Sequence, residues 1–292
     1  MNDQAQTLRN LVQIQGSSEM KRTRVLTVTS GKGGVGKSNF TLNLALALQA
    51  KGLKVLIFDA DLGMSNIDVL MGLTPQYNLY HLLKRQKTIW DIIQKGTRGI
   101  EFISGGSGFN DLLSLSEEEL DYFTNQVDQL NGYADYIIFD TGAGLSKETL
   151  KFILAAEQTI IVTTPEPPAI TDAYALIKMV HTMGHKVSFK LVINRVTDYK
   201  EGKQTADKIR LVAEQFLNLN ISSLGYIDDD THVSKAVKQQ IPFTIAYPNC
   251  GATRSIHNIA SGFISGQSNV LVDSDTNGVK GIIGKIFRFM QK

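Results

Sequence analysis

Val25-Leu26-Thr27-Val28-Thr29-Ser30-Gly31-Lys32-Gly33-Gly34-Val35-Gly36-Lys37-Ser38 is the stretch that decides the fold. Its first five residues are apolar or β-branched and predict a buried strand. Gly31 to Ser38 fit the phosphate-loop pattern G-x-x-x-x-G-K-[ST]. An amphipathic run, Phe40 to Leu48, follows and predicts a helix. Strand, glycine-rich loop and helix come in the order that anion binding needs. Glycines let the backbone curl and approach an anion with no Cβ in the way. The N–H groups of Gly33, Gly34, Val35 and Gly36 then point inward, and the helix adds its positive end. Lys37 is placed to reach the β- and γ-phosphates, and the Ser38 hydroxyl to ligate Mg²⁺. The loop predicts an ATP- or GTP-dependent protein.

Outward from the loop, apolar β-branched runs alternate with helical patterns. Further strands are predicted at Lys54–Phe58, Ile100–Ile103, Tyr136–Phe139, Thr159–Thr163, Lys190–Ile193 and Ser223–Ile227. Helical patterns between them include Ser116–Leu130, Thr171–Met183 and Gln204–Leu217. This alternation predicts an α/β fold, a doubly wound and mostly parallel sheet in a single domain over residues 23–264. Ligands of such sheets bind at the carboxyl ends of the strands. Two acidic positions stand there. One is Asp59-Ala60-Asp61 after the second strand; the other is Asp140, which closes the apolar run Ile137-Ile138-Phe139. A carboxylate at the end of such a run is placed for the magnesium shell. Ser38, Asp61 and Asp140 are the candidate metal residues. Thr163-Thr164-Pro165-Glu166-Pro167-Pro168 precedes a helix, with Thr171 or Asp172 expected in its first turn.

The form K-G-G-x-G-K-[ST], carried by Lys32 to Ser38, resembles the deviant phosphate loop of the MinD/ParA family of P-loop ATPases. The resemblance implies ATP or ADP with Mg²⁺, and a homodimer that forms around ATP. It implies that Lys32 reaches the partner's nucleotide and, with Lys37 and Asp61, makes up the catalytic set. A cation supplied in trans stabilises charge on a transferring phosphoryl group, as an arginine finger does. By the same resemblance Asp61 orients or activates the attacking water in a first switch, Asp59 stands behind it or on the Mg²⁺ side, and Asn66 contacts the partner copy. Thr141-Gly142-Ala143-Gly144 resembles the second switch. Asn194, beside Arg195, is implied to read the adenine edge. Gly225, Ile227 and Asp228 are implied to form the next wall of the base pocket. Many family members carry a proline near Asp228, so adenine rests mainly on Asn194.

The last segment, residues 279–292, places Val279, Ile282, Ile283, Ile286, Phe287, Phe289 and Met290 within about 160° of arc at helical spacing. Four cations and no acids fill the other side. That is the pattern of a helix lying in an anionic membrane interface, folding on lipid. Residues 265–278, rich in Ser, Asn, Asp and Gly, read as a linker. At the other end, Asp3-Gln4-Ala5-Gln6-Thr7-Leu8-Arg9 resembles the activator element of the flagellar members of the family. There the element docks on the GTPase FlhF. Gln4 or Gln6 would supply the stimulating glutamine and Leu8 part of the apolar side, which makes residues 1–22 a partner-binding element. The resemblance also implies flagellar switch-complex (C-ring) proteins as partners.

Composition narrows the field. The chain has 292 residues, 42% of them hydrophobic, enough for a sizeable core. Net charge is only +2, so no nucleic-acid partner is expected. A single cysteine, Cys250, argues against a disulfide framework and against cluster-bridged dimers, which need paired thiolates. No apolar run reaches spanning length and no apolar signal region opens the chain. The expected place is the cytoplasm, peripheral on the inner face of the membrane. What the resemblance implies is an ATPase switch that sets flagellar number and placement and stimulates FlhF. A MinD-type division-site regulator and a ParA-type DNA-partitioning ATPase are the alternatives.

Overall fold

The computed structural model describes residues 22–61, 66–106 and 116–267, with residues 279, 281 and 285 beyond them. Eight strands form one sheet: β1 (Arg24–Ser30), β2 (Val55–Ala60), β3 (Gln94–Lys95), β4 (Glu101–Ile103), β5 (Tyr136–Ala143), β6 (Gln158–Thr163), β7 (Phe189–Val196) and β8 (Ser222–Asp228). Their order is β3-β4-β2-β5-β1-β6-β7-β8. Every pairing is parallel except β3 with β4. All seven strands expected from sequence are present. The two-residue edge strand β3 is polar and escapes any hydrophobic pattern. β5 and β7 run further than their apolar stretches, because Asp140–Ala143 and Asn194–Val196 continue the ladder with mostly polar side chains. Those extensions carry site residues.

Both faces of the sheet are covered. Leu26, Val28, Ile57, Ile138, Ile160 and Val192 face one core, which α1 (Lys37–Gln49) and α11 (Gly251–Gln267) close. The alternate residues Val25, Phe58, Ile137 and Phe139 face a second core under α3 (Leu79–Leu83), α4 (Ile89–Ile92), α5 (Glu117–Asp128) and α6 (Lys147–Ala155). Ile161, Leu191 and Ile193 face a third, under α6, α7 (Pro167–Thr182) and α8 (Tyr199–Leu217). Central strands buried on both faces are mostly apolar or β-branched, which is why they read as near-continuous runs. The remaining helices are short: α2 (Ile67–Leu70), α9 (Thr231–Gln239) and α10 (Phe243–Ala246).

Several details differ from expectation. α7 begins at Pro167, so both prolines occupy its first turn, where a missing N–H costs nothing, and Thr171 lies in its second. α11 continues to Gln267, three residues into the stretch read as linker. Val279, read as the start of a lipid-facing stripe, is fully buried in the second core. Gly281 and Lys285 are helical. Ile282, Ile283, Ile286, Phe287, Phe289 and Met290 lie outside the described residues, as do Gln4, Gln6 and Leu8. No helix among the described residues is long and apolar enough to cross a membrane.

Candidate nucleotide site

β1 sits mid-sheet between β5 and β6, where crossovers leave in both directions. This is the point at which open α/β sheets bind ligands. A cavity of about 1060 Å³ opens there. Gly33, Gly34, Gly36, Lys37, Ser38 and Asp61 line its phosphate end, while Asn194, Arg195, Ile227 and Asp228 line the other.

The loop is held by backbone needs that only glycine meets. Gly34 and Gly36 have φ of 79° and 92°. A Cβ on Gly36 would collide with the Asn194 amide, and one on Gly31 with the Asp172 and Ala173 backbone in α7. Gly31 is therefore packing against a helix and not lining the cavity. Val35 is buried. Asn194 donates from Nδ2 to the Val35 carbonyl at 2.8 Å. Arg195, itself left-handed at φ 58°, donates to the Gly34 carbonyl at 3.0 Å. Both residues implied for the base thus also brace the phosphate loop. Gly225 has φ 153° and lies under α11, where a Cβ would sit 2.7 Å from Ile259. Its part is packing; Ile227 and Asp228 form the wall.

Two cations of the loop are held by acids of the same chain. Lys37 donates to Asp140 Oδ1 at 3.1 Å, and the two side chains are 7% and 0% exposed. Lys37 also lies 3.2 Å from the Ser38 hydroxyl. Thr41, one helical turn after Lys37, donates to the same Asp140 oxygen at 2.8 Å. The remaining oxygen, Asp140 Oδ2, is buried with no hydrogen-bond partner. The Ser38 hydroxyl and the Asp140 carboxylate meet the same Lys37 ammonium, and the orphaned carboxylate oxygen is what a divalent cation fits. Among the described residues no group of three or more His, Cys, Asp or Glu could hold a metal by itself. Ser38 and Asp140 would hold Mg²⁺ together with phosphate oxygens and water, and it would neutralise charge on those phosphates. A triphosphate entering the loop offers Lys37 oxygens in exchange for Asp140. Lys32 is more exposed and pairs with Glu166 at 3.4 Å on the cavity rim.

Behind this pair, β2 and β5 set Asp59 directly beside Asp140. Burial, and then the neighbouring Asp140 carboxylate, push Asp59 up to about 7. Its carboxylate accepts the N–H groups of Asn66 at 2.9 Å and Ile67 at 3.2 Å, so it caps α2. Asn66 in turn donates from Nδ2 to Asp61 Oδ2 at 3.2 Å. Asn66, expected at the partner's surface, here holds the candidate catalytic carboxylate. On the opposite side Gly142 approaches Asp61, and the Gly144 N–H donates to the Ser30 carbonyl at 2.8 Å, tying the second switch to the loop.

Sequence reading did not identify Thr41, the pairing of Lys32 with Glu166, or the far wall of the cavity from Asp229 to Val237. Thr41 was findable: four residues after Lys37 places it on the same helix face. The far wall was not: Val233, Ala236 and Val237 give α9 an apolar stripe at helical spacing, but nothing in that stripe says that it faces a cavity at the other end of the sheet. Asp230 anchors that wall. Burial raises its carboxyl, but the backbone N–H and ring of His232 and the N–H of Ala252 outweigh this and hold it well below the usual range.

The fold and loop define a P-loop NTPase with a second lysine inside the loop. A family model described as "ParA: NUBPL iron-transfer P-loop NTPase" matches residues 21–264. The chain is 36% identical over 296 residues to the flagellum site-determining protein YlxH of Helicobacter pylori, covering 99% of this chain and 100% of that protein. It is 34% identical over 241 residues to the antiactivator FleN of Pseudomonas aeruginosa, covering 82% and 86%. The septum site-determining protein MinD of Pyrococcus horikoshii, solved with Mg-ADP, shares the fold, with TM-score 0.68 and 23% identity over 86% of this chain and all of that one. The chain belongs to the ParA/MinD family of P-loop ATPases, and YlxH, similar to it over the whole length of both, is a flagellum site-determining protein. It is an ATP hydrolase of that family.

Proposed function

We propose that this ATPase is a nucleotide-gated switch that sets the number or placement of flagella. Its similarity to YlxH along essentially the whole length of both chains carries the reading. The site supports a switch built on pairing of two copies. Lys32 is 41% exposed, held only by a half-exposed glutamate at the rim, and unable to serve its own phosphate loop while it pairs there. A second copy docking over the cavity exchanges Glu166 for phosphate oxygens, and ATP becomes the bridge. Asp61, held by Asn66, orients the water that attacks the γ-phosphate, and turnover dissolves the pair. Slow turnover suits a switch, because its state must persist. Residues 279–292 carry the output to an anionic membrane. Val279 is buried, so the proposal requires that segment to leave the core when the pair forms. Residues 3–9 would engage FlhF, with Gln4 or Gln6 at its GTPase site, and C-ring proteins would be further partners.

The test is sedimentation with anionic vesicles in ATP and in ADP, using the full chain and a truncation after Gly278. ATP-dependent pelleting that the truncation abolishes is the expected result. A full chain that stays soluble in both nucleotides would remove the membrane step. Stimulation of FlhF GTPase by a peptide of residues 1–22 tests the flagellar assignment separately.

A further inference from the structure

The catalytic carboxylate and the far wall of the cavity are joined through one exposed side chain. α2 has four residues, too few to hold a helix by themselves. Ile67 and Met71 anchor it in the first core, and hydrogen bonds hold both its ends. At the start, Asp59 accepts the Asn66 and Ile67 N–H groups, and Asn66 holds Asp61. At the end, Gln240 donates from Nε2 to the Val69 carbonyl at 3.1 Å, across 171 positions of sequence. Gln240 is the residue that ends α9, and Val233, Ser234 and Val237 of α9 line the cavity beyond Asp228.

Gln240 is built into this place. It is a non-glycine residue in the left-handed region, φ 55° and ψ 38°, held there by its N–H on the Ala236 and Val237 carbonyls. Left-handed backbone at a side-chain-bearing residue costs energy and persists where its surroundings over-determine it. Its side chain lies over Gly72, where an added Cβ would stand 3.2 Å from the Gln240 Cβ. Gly72 has φ 66°, so this notch is set by backbone that disfavours a side chain. The other end of α9 is equally fixed. Asp230 caps it and also accepts the Gly251 N–H at 2.9 Å, which ties α9 to α11.

We infer that Gln240 is a positioning residue that transmits occupancy of the base side of the cavity, through α9 and α2, to Asn66 and Asp61. A nucleotide whose base rests against the α9 wall steadies α9. Gln240 then steadies the end of α2, and Asp61 is held more firmly for water. A ligand that fills only the phosphate loop leaves α9 untouched and lacks this effect. The inference rests on the nucleotide site, not on the flagellar assignment, and α2 and α9 supply the contiguous contact that such coupling needs.

Amide hydrogen exchange over residues 66–73 of the full chain tests it, with magnesium and either ADP or inorganic pyrophosphate. ADP should slow exchange there about threefold or more beyond pyrophosphate. Gln240→Glu keeps the shape but cannot donate, and Gln240→Ala removes the amide while leaving α9 intact. Both should abolish the difference between the two ligands while ADP affinity stays within about twofold, because the phosphate loop is untouched. Equal protection by ADP and pyrophosphate in the parent, or a difference that survives in both variants, would overturn the inference. Absence of any ADP binding by the parent is a separate result, and it would remove the nucleotide site itself.

Discussion

Replacing Lys37 by methionine removes the cation from a buried pair, and the structure predicts how much the nucleotide-free protein loses. Lys37 and Asp140 are nearly or fully inaccessible and 3.1 Å apart. Methionine keeps the apolar stem but leaves Asp140 without a counter-charge, directly beside Asp59. Removing one partner of a buried pair costs about 3–5 kcal/mol, mostly the penalty of the charge left behind. With a urea slope of roughly 3 kcal/mol per molar, the midpoint should fall by about 1–1.7 M. The double replacement Lys37→Met with Asp140→Asn should recover most of that loss, since the Asp140 charge is then gone together with its partner. Thr41 keeps a partner in that background, because its hydroxyl also donates to the Lys37 carbonyl at 3.1 Å. Urea unfolding followed by circular dichroism, without nucleotide, reads both effects. A Lys37→Met protein with the parental midpoint, or a double variant less stable than the single one, would refute the reasoning.

Three further outcomes follow from the same geometry. Asp59 rises from 3.8 to about 7 on folding, so the folded chain holds a proton that the unfolded chain has lost. That stability is full below pH 4 and disappears as pH climbs through 7, on the order of 1.4 kcal/mol for each unit crossed. Urea midpoints of the nucleotide-free parent should carry this slope and Asp59→Asn should lack it; parallel profiles would exclude it. Asn66→Ala should lower ATP turnover about tenfold with ADP affinity unchanged, because a hydrogen bond to a charged group contributes about 1.5 kcal/mol; steady-state kinetics with calorimetry would show whether turnover and binding separate. Gly36→Ala should lower the melting temperature of the free protein, since its φ of 92° costs about 1–2 kcal/mol for a side-chain-bearing residue and the new Cβ meets Asn194. Gly33→Ala, facing open space, should not; equal melting of the two variants would contradict the account of the loop.

What the sequence determined by itself was whatever depends on neighbours along the chain. Strands covered on both faces are mostly apolar or β-branched, so the seven principal strands were legible from near-continuous runs, the half-buried β8 the most broken of them. The phosphate loop was legible because its glycines, lysine and hydroxyl act within eight consecutive residues, and Asp140 because an apolar run ends in it. Tertiary structure decided what depends on register and on side chains that meet across the fold. β2 beside β5 sets Asp59 against Asp140 and raises its proton affinity, although 81 positions separate them. Crossover of the chain brings Glu166 to Lys32, Asn194 to Val35 and Gln240 to Val69. It also turns Asn66 inward onto Asp61 and buries Val279, whose helical pattern looks the same whether its apolar side meets lipid or protein. Periodicity states that a face is apolar; only the packed chain supplies the surface that covers it.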